Sequence, residues 1–238
     1  FVLFAAGIPL PFAALVAIAA TALVGVLMNR LTIEPARGAP VVSLIIITIG
    51  VSIFIRGVAQ LAFGKQIHTF PAFSGDEPIQ IFGATILPQS LWVIAGAIAV
   101  FVGLWLFFGF TLTGKALRAT AVNRLGARLV GIRTSLSGRI AFLLASVIGA
   151  ISGILIVPIT TLYYDTGFLI GLKGFIAAII GGLVSYPLTA IAAVVVGCVE
   201  AFSSFYASNF KEVIVFTLIL PVLVLRSLAA PAVEEEKD

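Results

Sequence analysis

Few residues in this 238-residue chain have the types and spacing needed for chemistry. Gly109-Phe-Thr-Leu-Thr-Gly114-Lys115 follows the first part of a phosphate-binding loop, in which backbone N–H groups and a lysine cradle phosphates. Ala116 then stands where a Ser or Thr would hold Mg²⁺, and the preceding residues form an apolar run rather than a strand. The match reads as chance, so the chain is expected to bind no ATP itself. One histidine, His68, and one cysteine, Cys198, supply neither a metal cluster nor a nucleophile–base pair. No catalytic residue and no metal ligand is therefore expected. A single cysteine also forms no internal disulfide.

The remaining polar groups of interest are ionisable residues within or beside apolar runs. Glu200 lies inside one run, where a charge is costly and faces protein or a water-filled cavity. It reads either as lining a pathway or as anchoring a polar network between helices. Arg56 lies in another run, with a stem long enough to snorkel to the interface. Asp165 and Lys173 flank the start of an apolar run and are expected at the external surface. Gly149-Ala-Ile-Ser-Gly153 and Gly167-Phe-Leu-Ile-Gly171 are small-xxx-small patterns expected to let helices approach closely.

The elements that must position these residues are membrane spans. Hydrophobic residues make up 61% of the chain, charged residues only 10%, and the mean hydropathy is +1.23. A soluble domain is nearer one quarter charged, and a helix of about 20 apolar residues crosses a bilayer. Val41–Gly50 does not alternate as a membrane barrel strand would. The expected fold is thus an all-α polytopic bundle treated as one domain over 1–238. Seven spans are expected at 12–28, 41–63, 89–110, 139–160, 169–183, 188–207 and 212–228. The fifth is short and ends in Gly181-Gly182, as a tilted, broken or re-entrant helix would. Phe1–Gly7 is too short to span and reads as the tail of a preceding helix, so N-terminal truncation is expected.

Charge sets the orientation. The 111–138 loop and its edge carry Lys115, Arg118, Arg124, Arg128, Arg133 and Arg139 without an acid, and Arg30 and Arg37 lie between the first two spans. The positive-inside rule places both loops in the cytoplasm. Loop 64–88, with Lys65, His68, Asp76 and Glu77, falls opposite. The C-terminal tail falls inside, as Arg226 suits. This topology explains the net charge of +4 without nucleic acid. Within Gly114–Ile132, Leu117, Ala121, Leu125 and Leu129 recur at i, i+4 as a helical stripe flanked by basic residues. Such a helix either rests on lipid headgroups or docks into a partner protein.

Gly114-Lys115-Ala116-Leu117-Arg118-Ala119, followed by Ala127-Arg128-Leu129-Val130-Gly131-Ile132, resembles the cytoplasmic motif of Liv-type branched-chain amino acid ABC transporter permeases. Their pattern is G-[RK]-A-x-R-A, then A-x-x-x-G-I. Gly171-Leu-Lys173-Gly-Phe-Ile-Ala-Ala-Ile-Ile-Gly181-Gly182-Leu-Val-Ser185-Tyr-Pro187 resembles a second family motif, and Glu200-Ala-Phe-Ser-Ser and Lys211-Glu212 resemble the residues that follow it. Arg30, Pro35 and Arg37 resemble the family's first cytoplasmic loop. Val184 and Leu188 replace family glycines, and Arg226-Ser-Leu-Ala replaces R-P-x-G. Family members carry roughly two more spans before Phe1.

The resemblance implies a permease subunit in a prokaryotic inner membrane. It implies a homologous second permease, two ATP-binding subunits holding ATP and Mg²⁺, and an external substrate-binding protein. Gly114, Lys115, Leu117, Arg118, Leu125, Arg128, Leu129 and Gly131 would form the helix that couples to the ATPase. Glu200, Lys173, Gly181 and Gly182 are the candidates for the pathway or a helix network. The same architecture would serve urea or short amides. An ion-coupled secondary transporter with Glu200 as coupling group, and a non-transporting membrane scaffold, are the readings from other classes.

Overall fold

The computed structural model describes residues 7–36, 38–66, 70–75, 77–81, 84–161, 163–182 and 185–229. Arg37, His68, Asp76, Val184, nearly all of the Phe1–Gly7 remnant and the acidic C-terminal tail fall outside them. The described chain is mostly helical, with almost no strand. Five of its helices are long and apolar enough to cross a membrane: Leu10–Ile33, Val42–Phe63, Pro88–Phe110, Thr134–Ile156 and Pro187–Tyr206. It is an all-α polytopic membrane protein. It divides into two compact units, Phe1–Tyr164 and Asp165–Asp238.

In the first unit, α1 (Leu10–Met28) starts with Pro11 in its first turn, where the missing N–H costs nothing. It runs into a π-helical segment, Asn29–Ile33. Next come α2 (Val41–Phe63), a small hairpin of β1 (Ile79–Ile81) and β2 (Ala84–Ile86), and α3 (Pro88–Phe110). The hairpin pairs Ile79 with Ile86 and has no counterpart in the expected loop 64–88. Two short helices follow, α4 (Leu112–Val122) and α5 (Arg124–Leu129). The unit's last helix is α6 (Thr134–Ile156), which begins five residues before the expected 139.

Helices α1 and α6 pack together closely at Gly25, where an added β-carbon would lie 2.7 Å from Ser146 Cβ. The small-xxx-small glycines do not play this part. A β-carbon at Gly149, Gly153, Gly167 or Gly171 meets no atom within 4 Å among the described residues. Sequence spacing identifies small residues but not which face a neighbour occupies. Gln89, only 2% exposed, donates to the Leu155 carbonyl at 2.8 Å and accepts from the Phe73 N–H at 3.2 Å. It thereby joins α3, α6 and the loop before the hairpin.

The second unit holds α7 (Thr166–Ile180), α8 (Tyr186–Tyr206), a 3₁₀ turn at Ser208–Phe210, α9 (Lys211–Thr217) and α10 (Ile219–Ala229). Its core is Ile176, Val196 and Val215, with Ile180, Phe216 and Ile219 against them. Helix α7 has 15 residues and stops at Gly181-Gly182, where Gly182 takes φ +89°. The expected seventh span, 212–228, is two helices broken at Leu218. Pro221 accounts for the break, because its ring has no N–H and clashes with the carbonyl four residues back, that of Thr217.

Candidate functional site

The basic segment after α3 is built by two side-chain caps. Thr111 Oγ1 accepts from the Gly114 N–H at 2.9 Å and starts α4; Asn123 Oδ1 accepts from the Gly126 N–H at 2.8 Å and starts α5. Asn and Thr are favoured in this position because they satisfy donors that the first turn leaves open. Asn123 itself is extended, with φ −147° and ψ 101°, so the chain turns there. The single helix expected over Gly114–Ile132 is therefore two. The expected stripe divides with it: Leu117 is buried, whereas Leu125 and Leu129 are 69% and 82% exposed.

Leu117 and Gly114 anchor the segment instead of presenting it. A β-carbon at Gly114 would come within 2.7 Å of Phe108 Cα, so only glycine lets α4 lie this close to the end of α3. Ala127, 4% exposed, anchors α5. Gly131 ends the segment with φ +86°, a conformation that a β-carbon disfavours. The Thr120 and Ser137 hydroxyls lie 3.2 Å apart, and Arg128 Nε donates to Thr134 Oγ1 at 3.2 Å. Both contacts fix the short helices to the first turn of α6.

The segment also carries exposed side chains of both kinds. Val122, Leu125, Leu129 and Val130 are each more than two-thirds exposed, and Lys115, Arg118, Arg124 and Arg128 are exposed in the same stretch. Exposed apolar and cationic side chains thus alternate along α4 and α5, and no acid occurs from Leu112 to Ile132. The i, i+4 spacing groups the buried Leu117 with the exposed Leu125 and Leu129, and passes over the exposed Val122 and Val130. The phosphate-loop look-alike Gly109–Lys115 is the junction of α3 and α4. Its Thr111 hydroxyl donates to the Phe107 carbonyl at 2.6 Å.

The second unit brings together charges that the sequence left apart. Lys173 lies mid-helix in α7, not at an external end, and its Nζ donates to Glu200 Oε1 of α8 at 2.5 Å and to Glu212 Oε1 of α9 at 3.4 Å. The Lys173 and Glu200 side chains are 20% and 29% exposed. Glu212 belongs to this triad, although the sequence alone gives it no role there, and its Oε2 is buried without a hydrogen bond among the described residues. Gly181 is packed against the start of α8, 2.5 Å from Thr189 Cα if a β-carbon were added, and Gly182 completes the turn. The neighbour that Gly181 approaches is Thr189, outside the triad. Arg56 directs its Nε at the Ser52 carbonyl of its own helix, 3.4 Å away. Among the described residues, no group of three or more His, Cys, Asp or Glu is placed to hold a metal.

A family model described as "Branched-chain amino acid transport system / permease component" matches residues 1–224. The chain belongs to this permease family. The permease is 29% identical to LivH of Escherichia coli K12, a high-affinity branched-chain amino acid transport system permease protein, over 87% of this chain and 70% of that one. LivH of Salmonella typhimurium gives the same identity and coverage. BraD of Pseudomonas aeruginosa is 27% identical over 94% of this permease and 78% of its own length. No solved structure matches. The family places a permease subunit on the apolar helices described above, and the motif residues that first suggested the resemblance lie in both the basic surface and the ion triad.

Proposed function

We propose that this permease is the membrane subunit of an ATP-driven importer for branched-chain or related amino acids. ATP and Mg²⁺ are held by two partner ATP-binding subunits, and substrate arrives from an external binding protein. A second, homologous permease completes the pathway in the inner membrane. The 111–138 loop and the C-terminal tail face the cytoplasm.

The observation that carries this reading is the surface of α4 and α5. Exposed apolar and cationic side chains with no acid among them suit a groove with apolar and acidic groups, where charge complementarity fixes register and steers encounter. Closure of the ATP-binding subunits would push on this surface and shift the permease between two arrangements, each ligand-bound state favouring one of them. Family membership and the amino acid transport roles of LivH and BraD support the substrate class.

Reconstitution tests it. Uptake of leucine into proteoliposomes is expected only with the ATP-binding subunits, internal ATP and the external binding protein. Uptake driven by a proton or sodium gradient without ATP would overturn the proposal in favour of ion coupling. The engagement of Glu200 by Lys173 weighs against that alternative, because the carboxylate is already neutralised by a fixed cation. Uptake of urea or a short amide in preference to leucine would keep the architecture and change the substrate.

A further inference from the structure

We infer that Glu34 and Arg139 are positioning residues of the transport cycle, linking the docking surface through the first turn of α6 to the π-helical segment that leads into α2. This inference rests on the docking role proposed above.

The first turns of α6 touch three other elements in succession. Thr134 is held by Arg128 of α5, and Ser137 meets Thr120 of α4. Gly138 lies beneath Asn29, whose Nδ2 would be 3.6 Å from a β-carbon there. Arg139 then grips Glu34 with both nitrogens of one edge, Nη2 to Oε1 at 2.7 Å and Nε to Oε2 at 3.3 Å. A fork on a carboxylate fixes orientation as well as distance. Any displacement of α4 and α5 thus reaches the π-helical segment through one short stretch of α6.

That segment is built to change. The Glu34 N–H donates to the Asn29 carbonyl five residues back, at 2.8 Å, in place of the usual four. Such turns are rare and concentrate where helices do work. Asn29 is only 3% exposed, and its Oδ1 has no hydrogen-bond partner among the described residues. A buried unpaired acceptor is unfavourable, so this arrangement has an evident reason to give way to another. Helix α2 follows the segment in the chain and lies against it. An open apolar groove of about 540 Å³ separates it from α1, lined by Val24, Leu27 and Met28 on one side and Val51, Phe54 and Ile55 on the other.

The Glu34–Arg139 pair contributes little as a simple stabilising contact. Arg139 is 46% exposed, and ion pairs this wet add little to folding. Its fixed geometry across 105 residues of sequence is what the structure offers.

The test uses the permease assembled with its ATP-binding subunits and binding protein in proteoliposomes, and reads leucine transported per ATP hydrolysed. Glu34→Arg and Arg139→Glu are each expected to lower that ratio at least tenfold, while the ATP-binding subunits still co-purify and hydrolysis stays within twofold. The double exchange restores the pair in reverse and is expected to recover at least half of the ratio. Single variants with the unsubstituted ratio, or a double exchange without recovery, overturn the inference alone. Glu34→Gln, which keeps the shape, separates coupling from folding: a fall in melting temperature and yield that accounts for all lost transport also overturns it. If the ATP-binding subunits fail to bind the unsubstituted permease, the docking role falls and takes this inference with it.

Discussion

Lys173→Met is expected to destabilise the Asp165–Asp238 unit by about 2 kcal/mol. The substitution keeps the length of the side chain and deletes its charge. It leaves Glu200 and Glu212, both drawn to the same ammonium, facing one site with no cation. Removing one member of a buried ion pair costs about 3–5 kcal/mol. The side chains here are between 20% and 38% exposed, so a loss nearer ~2 kcal/mol is expected. That matters in a unit whose core cluster is as small as Ile176, Val196 and Val215, with Ile180, Phe216 and Ile219 against it. Thermal unfolding of the detergent-purified protein reads the effect as a lowered midpoint and reduced yield. Lys173→Arg should retain much of the stability. The triple change Lys173→Met, Glu200→Gln and Glu212→Gln should recover part of the loss, because removing all charges together leaves none unpaired. A single Lys173→Met variant as stable as the unsubstituted protein would show that the triad does not hold these helices.

Reversing two charges on the basic surface, Arg118→Glu with Arg128→Glu, is expected to abolish co-purification of the ATP-binding subunits without unfolding the permease. Both side chains are exposed, and the hydrogen bond that Arg128 gives up, to Thr134, is an exposed one. The fold therefore loses little. At an interface with acidic edges, two reversals turn attraction into repulsion, and juxtaposed like charges cost several kcal/mol. At about 1.4 kcal/mol per tenfold, that is a hundredfold or more in affinity. Pull-down from membranes and ATP-dependent leucine uptake should both fail, with an unchanged elution volume and melting temperature. Intact assembly and transport in this variant would remove the docking role from the surface.

The outline of the fold could be read in the sequence because long apolar runs have one solution in lipid. The boundaries that went astray depend on single residues. Asn123 ends one helix and caps the next, yet an i, i+4 pattern passes through it unbroken, so Leu117 and Leu125 looked alike. Pro221 splits the last expected span by acting four residues upstream, on the Thr217 carbonyl. The glycine pairs at Gly149–Gly153 and Gly167–Gly171 advertised close packing that Gly25 provides instead.

The site was legible where its chemistry is local and hidden where it is not. The acid-free run of cations in 111–138 stands out along the chain. Glu200 stands out too, as a charge in an apolar segment. Their partners do not. Lys173 and Glu212 are 39 residues apart, and Glu34 and Arg139 are 105 apart. No local period links such residues; only the packing of helices does. Lys173 in particular was assigned to a helix end because α7 begins earlier, at Thr166, than the run of apolar residues suggested.

Photo-crosslinking at Leu129 tests the docking of this permease most directly. Leu129 is 82% exposed, and the hydrogen bonds that anchor the segment are made by other residues. A benzoyl-phenylalanine placed there, activated in native membranes, should yield a single adduct with an ATP-binding subunit, its intensity changing between nucleotide-free and ATP-trapped states. Adducts with lipid alone, unchanged by ATP, would contradict docking and leave the α4–α5 segment as a helix pair resting on the membrane surface.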